Sequence, residues 1–291
     1  MWSTDECLSV THGSKDVTVQ WCIIAEGLTD HSYGSLIGSS KGGRISFHHN
    51  IYANNRSRNP RPTAYPDLPG PMIDFRNNVI YNWSGVAGYA GSGNSNEKEP
   101  VIMNYVGNYL KLGPSAPDRD DAREAAFMIY KGAEIKMYVA GNHMAEFPAG
   151  NVDNWKMIDT SRHDVSARLD NPIEMPRIST DASETAYHKI LSKAGASLPA
   201  RDAVDTRIIE NVRKGSGRVP LTMKDVGGWP KLKHNAALKD SDNDGMPDIW
   251  EKKHGLNSKD SSDNVIDNDG DVYTNIEEFI NGTDPIVKDG G

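Results

Sequence analysis

Cysteine is nearly absent from this chain of 291 residues. Its two copies, Cys7 and Cys22, cannot staple a small scaffold, so a disulfide framework is excluded. Both fall in apolar, strand-like stretches and read as buried thiols. Long apolar runs are missing as well. No stretch approaches the roughly eighteen residues of a membrane span, and no charged-then-apolar leader opens the chain. Basic charge is also short, with a formal net of -8, but the deficit is local. Residues 239–291 hold 14 acidic and 5 basic side chains, a net of -9 that leaves the first 238 residues at about +1. Within that near-neutral body, residues 41–76 carry six basic residues, Lys41, Arg44, Arg56, Arg58, Arg61 and Arg76, against Asp67 and Asp74. Such a patch attracts a polyanion despite the unfavourable total.

One pattern recurs through the body. The runs from Val17, Ile45, Ile73, Ile102 and Ile135 alternate apolar and polar residues, and each ends in a Gly-, Asn-, Pro- or Ser-rich connection. Their anchor positions Cys22, Asn50, Asn78, Asn108 and Asn142 are 28, 28, 30 and 34 residues apart. Strands repeating near thirty with no helix between them predict an all-β fold, a right-handed parallel β-helix whose coils bury their faces against one another. Asparagine recurring at one register predicts a ladder of amides bonded from coil to coil. A β-sandwich would repeat nearer every ten residues.

After about residue 180 the period changes. Tyr187, Ile190, Leu191 and Ala194 fall on one helical face ahead of Gly195, and Val204, Ile208 and Val212 do so between Asp202, a candidate N-cap, and Gly215. The expected organisation is a β-helix over 1–178, a helical cover and strap over 179–238, and an acidic module over 239–291.

In that module "DSDNDGMPDIWE" places Asp240, Asp242, Asp244, Asp248 and Glu251 at positions 1, 3, 5, 9 and 12 of a loop with Gly245 at position 6. This is EF-hand spacing, which wraps Ca²⁺ in carboxylate oxygens and needs glycine at the sharp turn. "DNDGDVYTNIEE" repeats it with Asp267, Asp269, Asp271, Asn275 and Glu278, but Val272 stands where glycine should. The pair is similar to the thrombospondin type 3 and dockerin-like calcium repeats of secreted bacterial proteins, which implies an extracellular setting.

The segment "HHNIYANNRSRNPR", His48 to Arg61, preceded by "STDECLSVTHGSKDVTVQW" and "HSYGSLIG", resembles the pectate lyases of polysaccharide lyase family 1. Their motif is an HHN followed by Arg-x-Pro on successive coils of a parallel β-helix. The likeness extends to "NYVGNYLKLGPS" and "AGASLPARDAVD". It implies calcium-dependent β-elimination of polygalacturonate, an acidic polysaccharide, with no nucleic acid involved. The arginine opening Arg-x-Pro maps onto Arg58, ahead of Pro60, as the proton-abstracting base, and nearby cations such as Arg56 and Arg61 act in the direction a guanidine base needs. Arg61 is the candidate carboxylate clamp, since a guanidinium fork matches a carboxylate. Arg56, Lys41 and His48 are further candidate substrate contacts, and Asn50 reads as a ladder amide.

The likeness is incomplete on the metal side. Asp5 maps onto a calcium ligand, but Ser9 stands where the next carboxylate is expected, with Glu6 the candidate substitute. Thr63 replaces a second arginine, and Tyr33 and Gly34 stand near the position of a substrate lysine. Family members also have further coils before the point matching Trp2, so the resemblance implies an open first coil whose unpaired edges favour self-association. A pectin lyase acting on the methylated polymer, a polygalacturonase and a non-catalytic polysaccharide-binding fragment are the competing readings.

Overall fold

The computed structural model describes residues 1–28, 31–40, 42–65, 69–94, 96–161, 167–231 and 236–288. They form two compact units, Met1–Ser197 with Arg201–Pro230, and Leu198–Ala200 with Lys231–Gly291.

In the first unit each repeat supplies three short strands. The first coil is β1 (Glu6–Val10), β2 (Val17–Gln20) and β3 (Ile23–Ala25), and the second is β4 (Tyr33–Ser39), β5 (Arg44–His48) and β6 (Ile51–Ala53). The third is β7 (Arg61–Ala64), β8 (Met72–Arg76) and β9 (Val79–Tyr81), and the fourth is β10 (Gly88–Ala90), β11 (Glu99–Val106) and β12 (Tyr109–Lys111). The fifth is β13 (Phe127–Ile129), β14 (Ala133–Ala140) and β15 (His143–Met144), with β16 (Ile158–Asp159) following. Strands pair in parallel with their counterparts one coil away. Two faces are the sheets β2-β5-β8-β11-β14 and β3-β6-β9-β12-β15, and the third is β1-β4-β7 followed by β10-β13-β16. This is the expected parallel β-helix.

Strand alternation sends Ile45 and Phe47 inward, in register with Ile73 and Phe75, and all four are fully buried. Rings line the axis inside, Phe75 and Tyr105 stacked with centroids 5.5 Å apart and Tyr105 and Phe127 edge to face at 6.0 Å. A parallel sheet covered on one side by such a core needs no disulfide. Both cysteines are free, and they are half-buried rather than buried as expected.

The asparagine ladder runs between the two five-stranded faces. Asn50 Oδ1 accepts from the Cys22 amide at 2.9 Å, Asn78 Oδ1 from the Asn50 amide at 3.0 Å, Asn108 Oδ1 from Asn78 at 2.9 Å and Asn142 Oδ1 from Asn108 at 2.9 Å. The residue before each anchor is left-handed: Trp21, His49, Asn77, Gly107 and Gly141 have φ of 54°, 56°, 49°, 63° and 67°. That single bend turns the chain from one sheet to the next, and the ladder amide satisfies the backbone groups the bend takes out of the sheet. Replacing fully buried Asn78 with alanine strands the Asn50 amide and the Phe47 carbonyl, which accepts from Asn78 Nδ2 at 2.9 Å. Asn78→Ala is therefore expected to lower unfolding free energy by about 3 kcal/mol, counting about 1–3 kcal/mol per stranded group. Urea denaturation checks this, and an unchanged midpoint would remove the ladder as a stabilising element.

Short helices α1 (Asp120–Glu124) and α2 (Pro148–Val152) sit in connections, while α3 (Ser183–Lys193) and α4 (Ala203–Lys214) cover the β3-β6-β9 face. Ile190, Leu191, Val204, Ile208 and Val212 share one apolar cluster with Ile51, Ala53, Val79 and Tyr81. Asp202 caps α4 by accepting from the amides of Val204 and Asp205, and Gly215 ends it at φ 69°.

In the second unit the helices are α5 (Asp248–His254) and α6 (Asn275–Asn281). Prolines aside, Met246 is its one buried apolar side chain among the described residues. No described helix is long and apolar enough to cross a membrane.

Candidate functional site

Register brings the arginine segment to the β1-β4-β7 face. Glu6 on β1 pairs with Tyr33 on β4, and Tyr33 bridges to Ser57 in the turn before β7. Arg58 follows at φ 60°, a left-handed conformation uncommon for a residue with a side chain. Its turn is held from the coils on both sides. The Ser35 amide donates to the Arg58 carbonyl at 2.7 Å, the Asn59 amide to the Ala87 carbonyl at 2.8 Å, and Asn55 Nδ2 to Asn59 Oδ1 at 3.1 Å. A Cβ on Gly34 would come within 2.7 Å of the Arg58 carbonyl, so only glycine lets the coils approach there. The asparagines of this segment thus divide their work. Asn50 belongs to the ladder, Asn54 accepts from Asn82 Nδ2 at 2.7 Å, and Asn55 and Asn59 fix the arginine turn.

The Arg58 guanidinium lies 3.9 Å above the Tyr33 ring and donates from Nε to Tyr89 Oη at 3.1 Å. Its other end forms an ion pair with Glu6, and both side chains are largely buried. Glu6 thus occupies one end of the guanidinium that the resemblance assigns to the substrate proton. Arg61 donates to Glu99 Oε1 at 3.0 Å and lies 5.7 Å from the Tyr89 ring centroid. Its charge is thus taken up by Glu99 and not displayed toward Arg58. Tyr33 and Tyr89 are site residues that sequence reasoning left without a role.

The remaining candidates lie elsewhere or are engaged differently. Asp5 is exposed, and its Oδ1 accepts from the Glu6 amide at 3.0 Å. Among the described residues, Asp5 and Glu6 join no third metal-ligating side chain. Two carboxylates, one already held by Arg58, do not fit the six to eight oxygens calcium takes. Arg56 lines a cleft of about 290 Å³ with Ser32, Ser84, Ser115 and Pro220. His48 is buried on β5, in register with Arg76, and its Nδ1 is 2.9 Å from His49 Nδ1. Burial first, then the charges of His49 and Arg76, push its pKa down to about 4. Lys41 lies outside the described residues, as does Asp67.

The acidic loops fit a cation far better. In the first, Asp240, Asp242 and Asp244 bring ligand oxygens within 4.8 Å of one another, and in the second Asp267, Asp269 and Asp271 do so. Both loops share one backbone design. Asp240 accepts from the amides of Asn243 and Gly245, and Asp267 from those of Gly270 and Val272. Both oxygens of Asp242 and of Glu251 are buried without a hydrogen-bond partner, as are one oxygen each of Asp244 and Asp269. Glu251 is fully buried, and desolvation, reinforced by Asp242, Asp244, Asp263 and Asp248, pushes its carboxyl up to about 7. Buried anions facing one another in this way call for a cation.

Position 9 departs from the expected role. Asp248 accepts from the Ser241 amide at 2.7 Å, Ser241 Oγ at 2.9 Å and Lys239 Nζ at 3.0 Å. The lysine, followed by the serine contacts, holds its pKa down at about 2. Asn275, at the same position of the second loop, donates from Nδ2 to the Asp263 carbonyl at 2.7 Å. Glu278 is buried, and its Oε2 accepts from Thr283 Oγ1.

Val272 takes the glycine backbone at φ 89°, against 97° for Gly245, with its side chain 87 % exposed. A β-branched residue in that region costs on the order of 1–3 kcal/mol, partly offset by glycine's own entropy. Val272→Gly is therefore expected to stabilise the C-terminal unit by about 1 kcal/mol. Thermal melts in calcium check it, and a lowered midpoint would contradict the strain.

The fold and loops define the class: a parallel β-helix bearing an arginine–tyrosine face, on a chain that also carries paired acidic loops. Comparison with known proteins narrows this. The chain is 32% identical, over 98% of its length, to a probable pectate lyase C of Aspergillus flavus, of which it covers 64%. It is 28% identical over 98% of its length to the probable pectate lyase C of Aspergillus fumigatus, of which it covers 63%. The chain therefore spans less than two thirds of these relatives. A solved thermostable pectate lyase aligns with 66% of the chain and 44% of its own at 19% identity and a TM-score of 0.42. A second solved pectate lyase covers 66% of this chain and 43% of its own at 16% identity with the same TM-score. No protein-family model matches the chain.

Proposed function

We propose that this chain is a secreted pectate lyase that cleaves polygalacturonate by β-elimination, and that Arg58 is the residue acting on the sugar. The observation that carries this reading is the rigid presentation of Arg58, over Tyr33 and beside Tyr89, two coils from Glu6. In the reaction a base removes the proton on the carbon next to the uronate carboxylate. A carbon–carbon double bond forms, the glycosidic C–O bond breaks, and the leaving oxygen takes up a proton.

Glu6 pairs with Arg58, so a substrate carboxylate must compete for that guanidinium or draw Glu6 away. Arg61 acts as the clamp on a neighbouring uronate through the same exchange with Glu99. Asp5 and Glu6 are only two carboxylates at this face, one of them paired with Arg58, so no chemical step is assigned to a metal there. We assign the calcium requirement to the acidic loops, where Asp240, Asp242, Asp244 and Glu251, and Asp267, Asp269, Asp271 and Glu278, would hold Ca²⁺. Bound calcium would supply the countercharge that lets these buried carboxylates pack.

Incubating the purified chain with polygalacturonate at alkaline pH, with calcium or with chelator, tests the reading. The expected result is ultraviolet absorbance from the unsaturated product. Reducing ends without absorbance mean hydrolysis. Binding without either product favours a polysaccharide-binding role, which the Glu6–Arg58 pair would suit because a paired arginine is a contact and a poor base. Activity on methylated pectin without calcium would instead mark a pectin lyase.

A further inference from the structure

We propose that Asp263, which lies outside both acidic loops, is a calcium ligand of the first loop and fills the role its spacing assigns to Asp248. The inference rests on reading that loop as a calcium site. A ligand oxygen of Asp263 lies within 4.8 Å of those of Asp244 and Glu251, in one three-carboxylate group. Asp263 is only 8% exposed, and its Oδ1 is buried with no hydrogen-bond partner. Both oxygens of fully buried Glu251 are in the same condition. These are not surface acids that happen to be close.

The segment around Asp263 is built to aim that oxygen. Its Oδ2 accepts from the Asn257 amide at 2.9 Å, and its own amide donates to the Asp260 carbonyl at 3.1 Å. Asn264 Nδ2 donates to the Asp244 carbonyl at 3.1 Å, which pins the 3-10 turn Asp263–Val265 onto the loop. One carboxylate oxygen thus fixes the side chain and leaves the other facing Asp244 and Glu251. Asp248 has no such freedom, because its oxygens accept from Ser241 and Lys239.

Hard oxygen donors of this number, with Asp240, Asp242, Asp244, Glu251 and Asp263 contributing, match calcium. The first site is consequently assembled from two stretches of chain, and binding closes residues 252–262 as a loop. Because Asn275 of the second loop holds the Asp263 carbonyl, the ligand is also tied to the neighbouring site.

Calorimetric calcium titration of the full chain in a Glu278→Gln background, which disables the second loop, tests the inference. Asp263→Asn keeps an oxygen for the Asn257 amide and removes only the charge. It is expected to weaken the remaining site at least about tenfold. Asp260→Asn removes the same charge from the same segment, where the carboxylate contacts only Ser262, and is expected to change affinity less than about threefold. Affinity unchanged in Asp263→Asn, or lowered equally in Asp260→Asn, overturns the inference. If the Glu278→Gln parent takes up no calcium, the reading of the loop itself fails and the assignment of Asp263 falls with it.

Discussion

With calcium held in the acidic loops as proposed, stripping it with EGTA is expected to unfold residues 240–284 and leave the β-helix standing. Met246 is the one buried non-proline apolar side chain of the C-terminal unit among the described residues, so little hydrophobic burial opposes its chain entropy. Against that stand buried carboxylate oxygens on Asp242, Asp244, Glu251, Asp263 and Asp269 that have no hydrogen-bond partner. Without a cation their mutual repulsion and desolvation favour the unfolded chain, where each is hydrated. With one, stability rises by mass action, about 4 kcal/mol at a calcium concentration a thousand times the dissociation constant. The β-helix has its own ladder and aromatic stack and contains no such cluster among the described residues. Limited trypsin digestion reads this directly, because Lys252 and Lys253 lie on α5 and Lys259 just beyond it. In EGTA those bonds are expected to be cut at least tenfold faster, with the first unit persisting as a resistant fragment. Equal cleavage with and without calcium would show that the loops fold without metal.

Replacing Arg58 with lysine is expected to lower the elimination rate by about 10²–10⁴, the span that general acid–base catalysis covers. The substitution preserves positive charge and the same strained backbone at φ 60°. It removes the planar fork that reaches Glu6 and Tyr89 together and stacks on Tyr33. Alanine confounds the test, since it leaves the largely buried Glu6 carboxylate unpaired. Breaking such a pair costs about 3–5 kcal/mol. Arg58→Ala combined with Glu6→Gln restores neutrality and separates stability from chemistry. The double variant is expected to fold, by circular dichroism and thermal melt, and to be as inactive as Arg58→Lys. Full activity in Arg58→Lys would make the residue a positive contact only and move the base elsewhere.

Much of the β-helix was legible because its information is local and repeated. Alternation near each anchor reports which side chains face inward, and the 28- and 30-residue spacings of Asn50, Asn78 and Asn108 report coil length. The ladder's last rung was not legible. Asn154 closes it on Asn142 at 2.6 Å but comes only 12 residues later, out of a 3-10 turn, so no spacing announces it. The acidic loops were legible in position and blind in partnership. Their spacing nominates Asp248, yet Ser241 and Lys239 take it, and Asp263 enters from a separate stretch.

The arginine segment shows the same division. The sequence by itself determined that a cationic run sits on a coil, that asparagines hold it, and that acidity belongs to another unit. Those properties follow from composition and period, which act over a few residues. Only the tertiary structure decided that Arg58 meets Glu6 across 52 residues and Arg61 meets Glu99 across 38. Coil stacking sets such partners, because a parallel ladder brings together residues one or two turns apart whatever lies between them. The charge a guanidinium presents to an anionic sugar depends on that neighbour as much as on the arginine.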